Sequence, residues 1–194
     1  MLRKAAWLAL GLAGFTAGGG AAAEASPLRL IILPEKSQVE FISGTQLGEF
    51  RGITRQISGE VVLDPQEATR LRLAVSVDLR TLKSDNALRD QHMHDKVLEV
   101  GRFPSASFAA SEFRPVAGAG RDGGEGVIAG ALRLHGVERA VSIPVRYTLN
   151  GTTLRGEGNL LVKLTDFDMT PPRLLGLKVR DQVTVEIRFV ASGG

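Results

Sequence analysis

The chain has no cysteine in its 194 residues. That excludes a disulfide framework, a thiol nucleophile and any Cys-ligated zinc or iron–sulfur centre. Histidine is nearly missing too. His92, His94 and His135 are the full set, which leaves little material for metal ligation or acid–base chemistry. Aromatic residues make up only 5% of the chain. Beyond the N-terminus no apolar run approaches the roughly 18 residues that a membrane-spanning helix needs. The motifs G-x-S-x-G, GxGxxG, HExxH and the P-loop are all lacking, so no nucleophile–base pair can be nominated and an enzyme is not expected. Apolar residues, by contrast, make up 43% of the chain, enough for a real core, and glycine is abundant at 23. The length suits one domain.

Residues 1–23 have the composition of an address label. Arg3 and Lys4 form a positive start, Ala5 to Ala17 is an apolar stretch too short to span a bilayer, and Ala21, Ala23 and Ala25 offer small-residue cleavage positions. This is the pattern of a cleavable secretory signal peptide, and a bacterial periplasm is the expected destination. Residues 24–194 are then the single mature domain. Arg3 and Lys4 are the leader's only charged residues, so its removal lowers the formal charge from +3 to +1. A nearly neutral chain with scattered charges, left without Trp7 and Phe15, has neither the field nor the stacking platforms for nucleic acid.

The mature chain reads as strands. Apolar and polar residues alternate without a fault in 71–79, 141–149 and 183–189, and more weakly in 38–43, 57–63, 127–134 and 154–164. Period-2 alternation places one face in a core and one in water, the pattern of antiparallel sheet. His135-Gly136 and Asn150-Gly151 read as two-residue hairpin turns, with His135 as a solvated turn residue. Pro144 interrupts an alternating run and marks an edge, a bulge or a bend. One segment breaks the pattern. In 84–100, Met93, Val97 and Val100 share a helical face, Ser84, Asp85 or Asn86 can cap its start, and Gly101 can stop it. Eight or nine antiparallel strands must hide their edges, and a closed barrel does so, with a filled β-sandwich as the other solution. Gly59, Gly130, Gly156 and Gly158 share the apolar parity, where small residues leave room inside a barrel or let its wall bend.

Several runs resemble the YceI-like family. The run 89–93 (RDQHM), followed by 97–108 (VLEVGRFPSASF), resembles its central signature. The stretches 48–53, 57–61, 130–137 and 166–169 resemble further family segments in the family's order, over roughly residues 36–191. This resemblance implies an all-β fold, a lipocalin-like antiparallel barrel of eight to nine strands with a short helical insertion. It also implies a polyisoprenoid-type lipid, such as an isoprenoid quinone, as ligand inside the barrel, with no further cofactor. Many relatives carry a His in the stretch aligned with 44–47, where this chain has none. Leu98 and Ile57 stand where family aromatics are common. These departures weaken the quinone head group more than the isoprenoid tail.

Candidate ligand-binding residues follow from the two readings together. Phe41, Ile57, Val75, Phe108, Ile143, Val145 and Tyr147 lie on the apolar parity of the strands. Phe50, Met93, Phe103 and Phe167 lie on expected loops or the helical segment and are candidates to close the mouth. Arg89, Asp90 and His92 belong to the resembled signature, where Arg89 and Asp90 tie loops together or hold a head group. His92 and His94 are two residues apart and diverge on a helix, so they make a poor chelate, and no metal site is expected. The expected role is a periplasmic, non-enzymatic protein that sequesters, carries or stores a polyisoprenoid lipid. A transient contact with a membrane or membrane protein and a homodimer are further expectations. The competing readings are an enzyme acting on an isoprenoid substrate and a filled barrel that serves as an interaction module.

Overall fold

Antiparallel strands dominate the computed structural model, which describes residues 26–64, 69, 71–116, 118–120, 122–174 and 176–193. The leader expected over 1–23 lies outside the described residues. In chain order the strands are β1 (Leu28–Ile32), β2 (Gln38–Thr45), β3 (Gly48–Thr54), β4 (Ile57–Leu63), β5 (Leu71–Asp78), β6 (Lys83–Ser84), β7 (Ser105–Pro115), β8 (Gly123–Leu134), β9 (Val137–Asn150), β10 (Thr153–Lys163), β11 (Arg173–Leu174), β12 (Leu177–Lys178) and β13 (Gln182–Ser192). One helix, α1 (Ala87–His92), separates β6 from β7.

Eight strands close into a barrel. β1, β4, β5, β7, β8, β9, β10 and β13 pair in that order, and β13 pairs back onto β1. Closure removes the exposed edges that an open antiparallel sheet would present. β1 and β2 share one side of β13, β1 through Ile32 and Ala191, β2 from Gln38 and Arg188 onward. The chain kinks between them at the 3-10 turn Pro34–Lys36. Ser37 staples the kink: its hydroxyl donates to Leu33 O at 2.7 Å and accepts from Val190 N at 3.1 Å. β2 then pairs with β3, and β3 with β6, so a three-stranded flap rises beside the barrel and carries α1 at its end.

One turn shifts by a residue, and one turn residue proves buried. His135-Gly136 is the expected two-residue turn, with both residues at positive φ, +51° and +78°. His135 is buried, not solvated, because Phe103 and Phe167 close over it. The second hairpin turns on Gly151-Thr152, since Asn150 pairs with Thr153. Gly151 still supplies the positive φ, at +58°.

The helical segment is shorter than its pattern. Asn86 caps α1 by accepting from Arg89 N at 3.0 Å, and the helix widens into a π turn at Met93–Val97. Glu99, at φ +45°, reverses the chain two residues before Gly101. β7 was hidden from the alternation because of a bulge between Ala110 and Glu112, which resets its parity midway.

Gly130 and Gly156 on the apolar parity, and Gly52 on β3, do not simply leave space. A Cβ on Gly156 would lie 2.5 Å from the ring of its cross-strand partner Phe189, one on Gly52 2.1 Å from the ring of its partner Phe41, and one on Gly130 2.8 Å from Phe108. In each case a phenyl ring packs where a Cβ would otherwise stand. The three rings line the cavity from positions set back against the wall.

Candidate functional site

Two buried clusters sit at the two ends of the barrel. At the β1 end, Leu30, Ile32, Val61, Leu71, Phe113, Leu154 and Ala191 fill the interior and form a floor. At the opposite end, Leu79, Leu82, Val97, Leu98, Leu164, Phe167 and Met169 form a roof from the helical insertion and the loops after β5 and β10. A cavity of about 270 Å³ lies between them. Val75, Val77, Phe108, Val145, Val185 and Ile187 face it from the wall, and each stays only partly buried because its inner side meets the hollow instead of another side chain.

The cavity reaches the surface where three elements converge. The β2–β3 hairpin contributes Ser43 and Phe50, α1 contributes Arg89 and His92, and the 169–179 loop contributes Met169, Pro172, Arg173 and Val179. The loop is anchored to the hairpin: Arg180 N donates to Gly44 O at 2.8 Å, and the Arg180 guanidinium lies 3.2 Å from Glu49. The helix is anchored to the hairpin as well, through the Arg89 guanidinium 4.6 Å above the centre of the Phe50 ring. Phe50 in turn meets Phe41 edge-on at 6.2 Å.

Arg89 and Asp90 do not pair with each other. Both act on Ser84. The Arg89 Nε donates to Ser84 Oγ at 2.9 Å, while Asp90 Oδ1 accepts from Ser84 N at 2.8 Å and from its hydroxyl at 2.6 Å. Arg89 also forms an ion pair with Asp85. The pair locks the β6–α1 turn, and Arg89 alone extends over the mouth.

Of the residues expected from the sequence, Phe41, Phe50, Ile57, Val75, Arg89, His92, Met93, Phe108, Ile143 and Val145 line the cavity. Four are placed elsewhere. Asp90 is spent on Ser84. Tyr147 lies toward the floor, edge-on to Phe113 at 5.5 Å, with its hydroxyl donating to Gly120 O at 2.8 Å, and burial raises its phenol pKa. Phe103 covers the His135 ring at 4.4 Å between centres, on the outer side of the roof. Phe167 is packed into the roof, and its carbonyl accepts from His135 Nδ1 at 3.1 Å. Phe50 belongs to β3, not to a loop.

Sequence reasoning passed over Ser43. It shares the inward parity of Val39 and Phe41, so its position two residues after Phe41 was the available signal. It also passed over Met169, Pro172 and Val179, whose segment has no periodicity to read. His94 turns away from the cavity and bonds Leu82 O at 2.8 Å.

A closed antiparallel barrel with a helical cap and an apolar hollow defines the class. The YceI-like domain family matches residues 31–191, and the chain belongs to that family. Among curated relatives it is 28% identical over 181 residues to a UPF0312 protein of Yersinia enterocolitica, covering 84% of each chain. It is 29% identical over 185 residues to a UPF0312 protein of Pseudomonas paraeruginosa, covering 86% of this chain and 87% of the other. Among solved structures, Burkholderia cenocepacia BcnA superposes with a TM-score of 0.73 at 22% identity, covering 83% of this chain and 99% of that one. A polyisoprenoid-binding domain from Saccharophagus degradans, described as implicated in plant cell wall breakdown, superposes with a TM-score of 0.68 at 17% identity, covering 87% and 100%.

Proposed function

We propose that this protein is an exported, non-enzymatic binding protein that holds a polyisoprenoid-type lipid in its barrel for carriage or storage. The observation that carries this reading is the apolar cavity, floored at one end and open beside α1 at the other. Membership of the family and the likeness to a polyisoprenoid-binding domain support it. The cavity also speaks against the filled-barrel reading, which needs an interior stuffed with side chains.

Burial of apolar surface drives such binding, at about 0.8 kcal/mol per CH₂ relative to water. A bilayer offers the chain the same gain. Transfer from membrane to barrel is therefore close to neutral on this account, and shape and contacts at the polar end decide occupancy. That balance suits a reversible carrier. Asp, Glu and His are scarce in the lining, where the wall is aliphatic and aromatic, so the site offers containment and little acid–base chemistry.

The test is organic extraction of the purified protein followed by mass spectrometry, together with uptake of a prenyl lipid by delipidated protein. A stoichiometric prenyl lipid is the expected result. A protein that yields none and takes up none overturns the proposal. Chemical conversion of the bound lipid over time supports the enzyme reading instead. Recovery of the mature chain from a periplasmic fraction, shortened at its N-terminus by about the leader's mass, tests export.

A further inference from the structure

The rim of the mouth presents apolar side chains to water. Among the described residues the two most exposed large apolar side chains are Leu47, 83% exposed, and Leu88, 79% exposed. Both stand on elements that bound the mouth. Leu47 is at the tip of the β2–β3 hairpin, where its amide donates to Thr45 Oγ1 at 3.2 Å. On one side of it Gly44 O accepts from Arg180 N, and on the other Phe50 lines the cavity. Leu88 is in the first turn of α1. It precedes Arg89, whose guanidinium covers Phe50, and it stands one turn before His92, which lines the cavity from the same helical face. Neither leucine belongs to the buried clusters of floor or roof. Single exposed leucines are ordinary on a protein surface. Two that flank the opening of an apolar cavity extend its apolar surface outward to the rim.

Charge on the third element of the mouth identifies the occupant. In the β11–β12 hairpin Arg173 and Lys178 are exposed cross-strand partners, like charges set opposite each other. That arrangement is unfavourable until a counter-charge arrives from outside. Among the described residues no carboxylate pairs with either, and the Arg173 guanidinium donates to Gly176 O at 3.2 Å. The carboxylates on the mouth elements are engaged, Glu49 by Arg180, Asp85 by Arg89 and Asp90 by Ser84, and Asp95 is followed by Lys96. Protruding leucines beside uncompensated cations fit the interface of an anionic bilayer, where alkyl side chains enter the acyl boundary and cations meet lipid phosphates. A folded protein seated there would seal the mouth, whereas a bilayer continues the apolar cavity into its own acyl region.

We propose that the mouth rim docks on anionic phospholipid bilayers, with Leu47 and Leu88 inserted and Arg173 and Lys178 at the phosphates. The docked barrel opens toward the acyl region. On the carrier reading the cargo then passes between bilayer and barrel without crossing water, but the docking itself does not depend on that reading.

Vesicle co-sedimentation tests it, using the chain recovered from the periplasmic fraction and vesicles of phosphatidylcholine alone or mixed with phosphatidylglycerol. Wild type is expected to bind the mixed vesicles more tightly than the neutral ones, and added salt narrows the difference. Leu47→Ser combined with Leu88→Ser weakens binding to the mixed vesicles about tenfold or more. Arg173→Gln combined with Lys178→Gln weakens it about ten- to thirtyfold on the mixed vesicles and leaves binding to the neutral ones within about twofold. Ile31→Ser, on β1 at the floor end and 50% exposed, changes neither. All these positions are at the surface, so melting temperatures stay near wild type, and every variant carries the same N-terminus, so any affinity of that segment for lipid cancels. The chain has no cysteine, so Leu88→Cys and Ile31→Cys each take a single environment-sensitive fluorophore. The label on α1 shifts to shorter wavelength on the mixed vesicles and the label on β1 does not. Equal losses in the Ile31 and leucine variants, or a shift of both labels, overturn the mouth as the docking surface. Wild type that binds neither vesicle overturns the dock, and self-association lost in the leucine variants then assigns the rim to a second copy of the chain. Vesicle binding by a protein that yields and takes up no prenyl lipid keeps the dock and removes the carrier reading, and a lipid-loaded protein that binds no vesicle does the reverse.

Discussion

At the scale of single residues, the hollow depends on where rings can pack. Phe189 rests on Gly156, Phe41 on Gly52 and Phe108 on Gly130; a Cβ would collide with the ring at each, and at Gly130 first with the Ala109 carbonyl. Gly156→Val is expected to push Phe189 further into the lumen that it already lines. Overpacking of this kind costs about 1–3 kcal/mol in stability, and lipid uptake per barrel should fall with it. Denaturant unfolding and stoichiometric uptake read the two effects, and normal uptake would show that the ring has another place to go. Asp181 acts at the roof. Its carboxylate accepts from Thr165 Oγ1 at 2.7 Å and Thr165 N at 3.0 Å, and these bonds hold its pKa below the ordinary 3.8. A depressed folded-state pKa stabilises the fold fully above the ordinary value and ceases to do so as pH falls through the lower, folded one. Asp181→Asn should therefore be less stable than wild type at neutral pH, with the gap closing at strongly acidic pH. Unfolding curves measured across that range check it, and a gap independent of pH would assign the effect to something other than the carboxylate's charge.

At the scale of elements, the barrel wall is uneven between β9 and β10. Their ladder runs from Asn150 and Thr153 to Val145 and Gly158 and stops at Pro144, which has no amide hydrogen to give. Beyond it β9 keeps β8 and β10 keeps β13, and the two strands part. The parted ends are tied across the 3-10 turn Leu164–Phe167, where Arg139 Nε donates to Asp166 O at 3.1 Å and His135 Nδ1 to Phe167 O. A carbonyl can only accept, so Nδ1 carries a proton. His135→Ala removes that tie and a buried ring, and should cost about 2–4 kcal/mol without removing any cavity-lining group. Hydrogen exchange should report the parting directly. Amides in 137–143 and 159–163 that point across the gap should exchange faster than those in the paired stretch, and uniform protection would show the gap to be bridged.

At the scale of the whole molecule, floor and roof are solid and the middle is open, so function should be lost by filling the middle without unfolding the ends. Val145 lies midway on the wall. The described residues hold no tryptophan, since the chain's one, Trp7, lies outside them. Val145→Trp therefore blocks the lumen and reports on it together. A short-wavelength emission maximum is expected with a nearly unchanged melting temperature, since the ring enters existing space, and lipid uptake should drop sharply. Uptake equal to wild type would place the lipid elsewhere.

Most of the barrel was legible because half-buried strands write their burial into every second residue. β5, β9 and β13 alternate over 71–78, 141–149 and 183–189, and their apolar parity turns inward, to the cavity or, at Tyr147, to the floor. Where local order failed to repeat, reading failed as well: β7 has a bulge that inverts its parity, and the 169–179 loop has no period at all. His135 looked solvated because a turn residue usually is, and nothing local shows that Phe103 and Phe167, both more than 30 positions away, would close over it. Local sequence therefore settled which segments extend, where they turn and which face is greasy, since those follow from backbone sterics and side-chain periodicity. Only long-range packing decided that the rings lie against glycines and that the middle stays hollow, because both depend on the shape of groups brought together from distant strands.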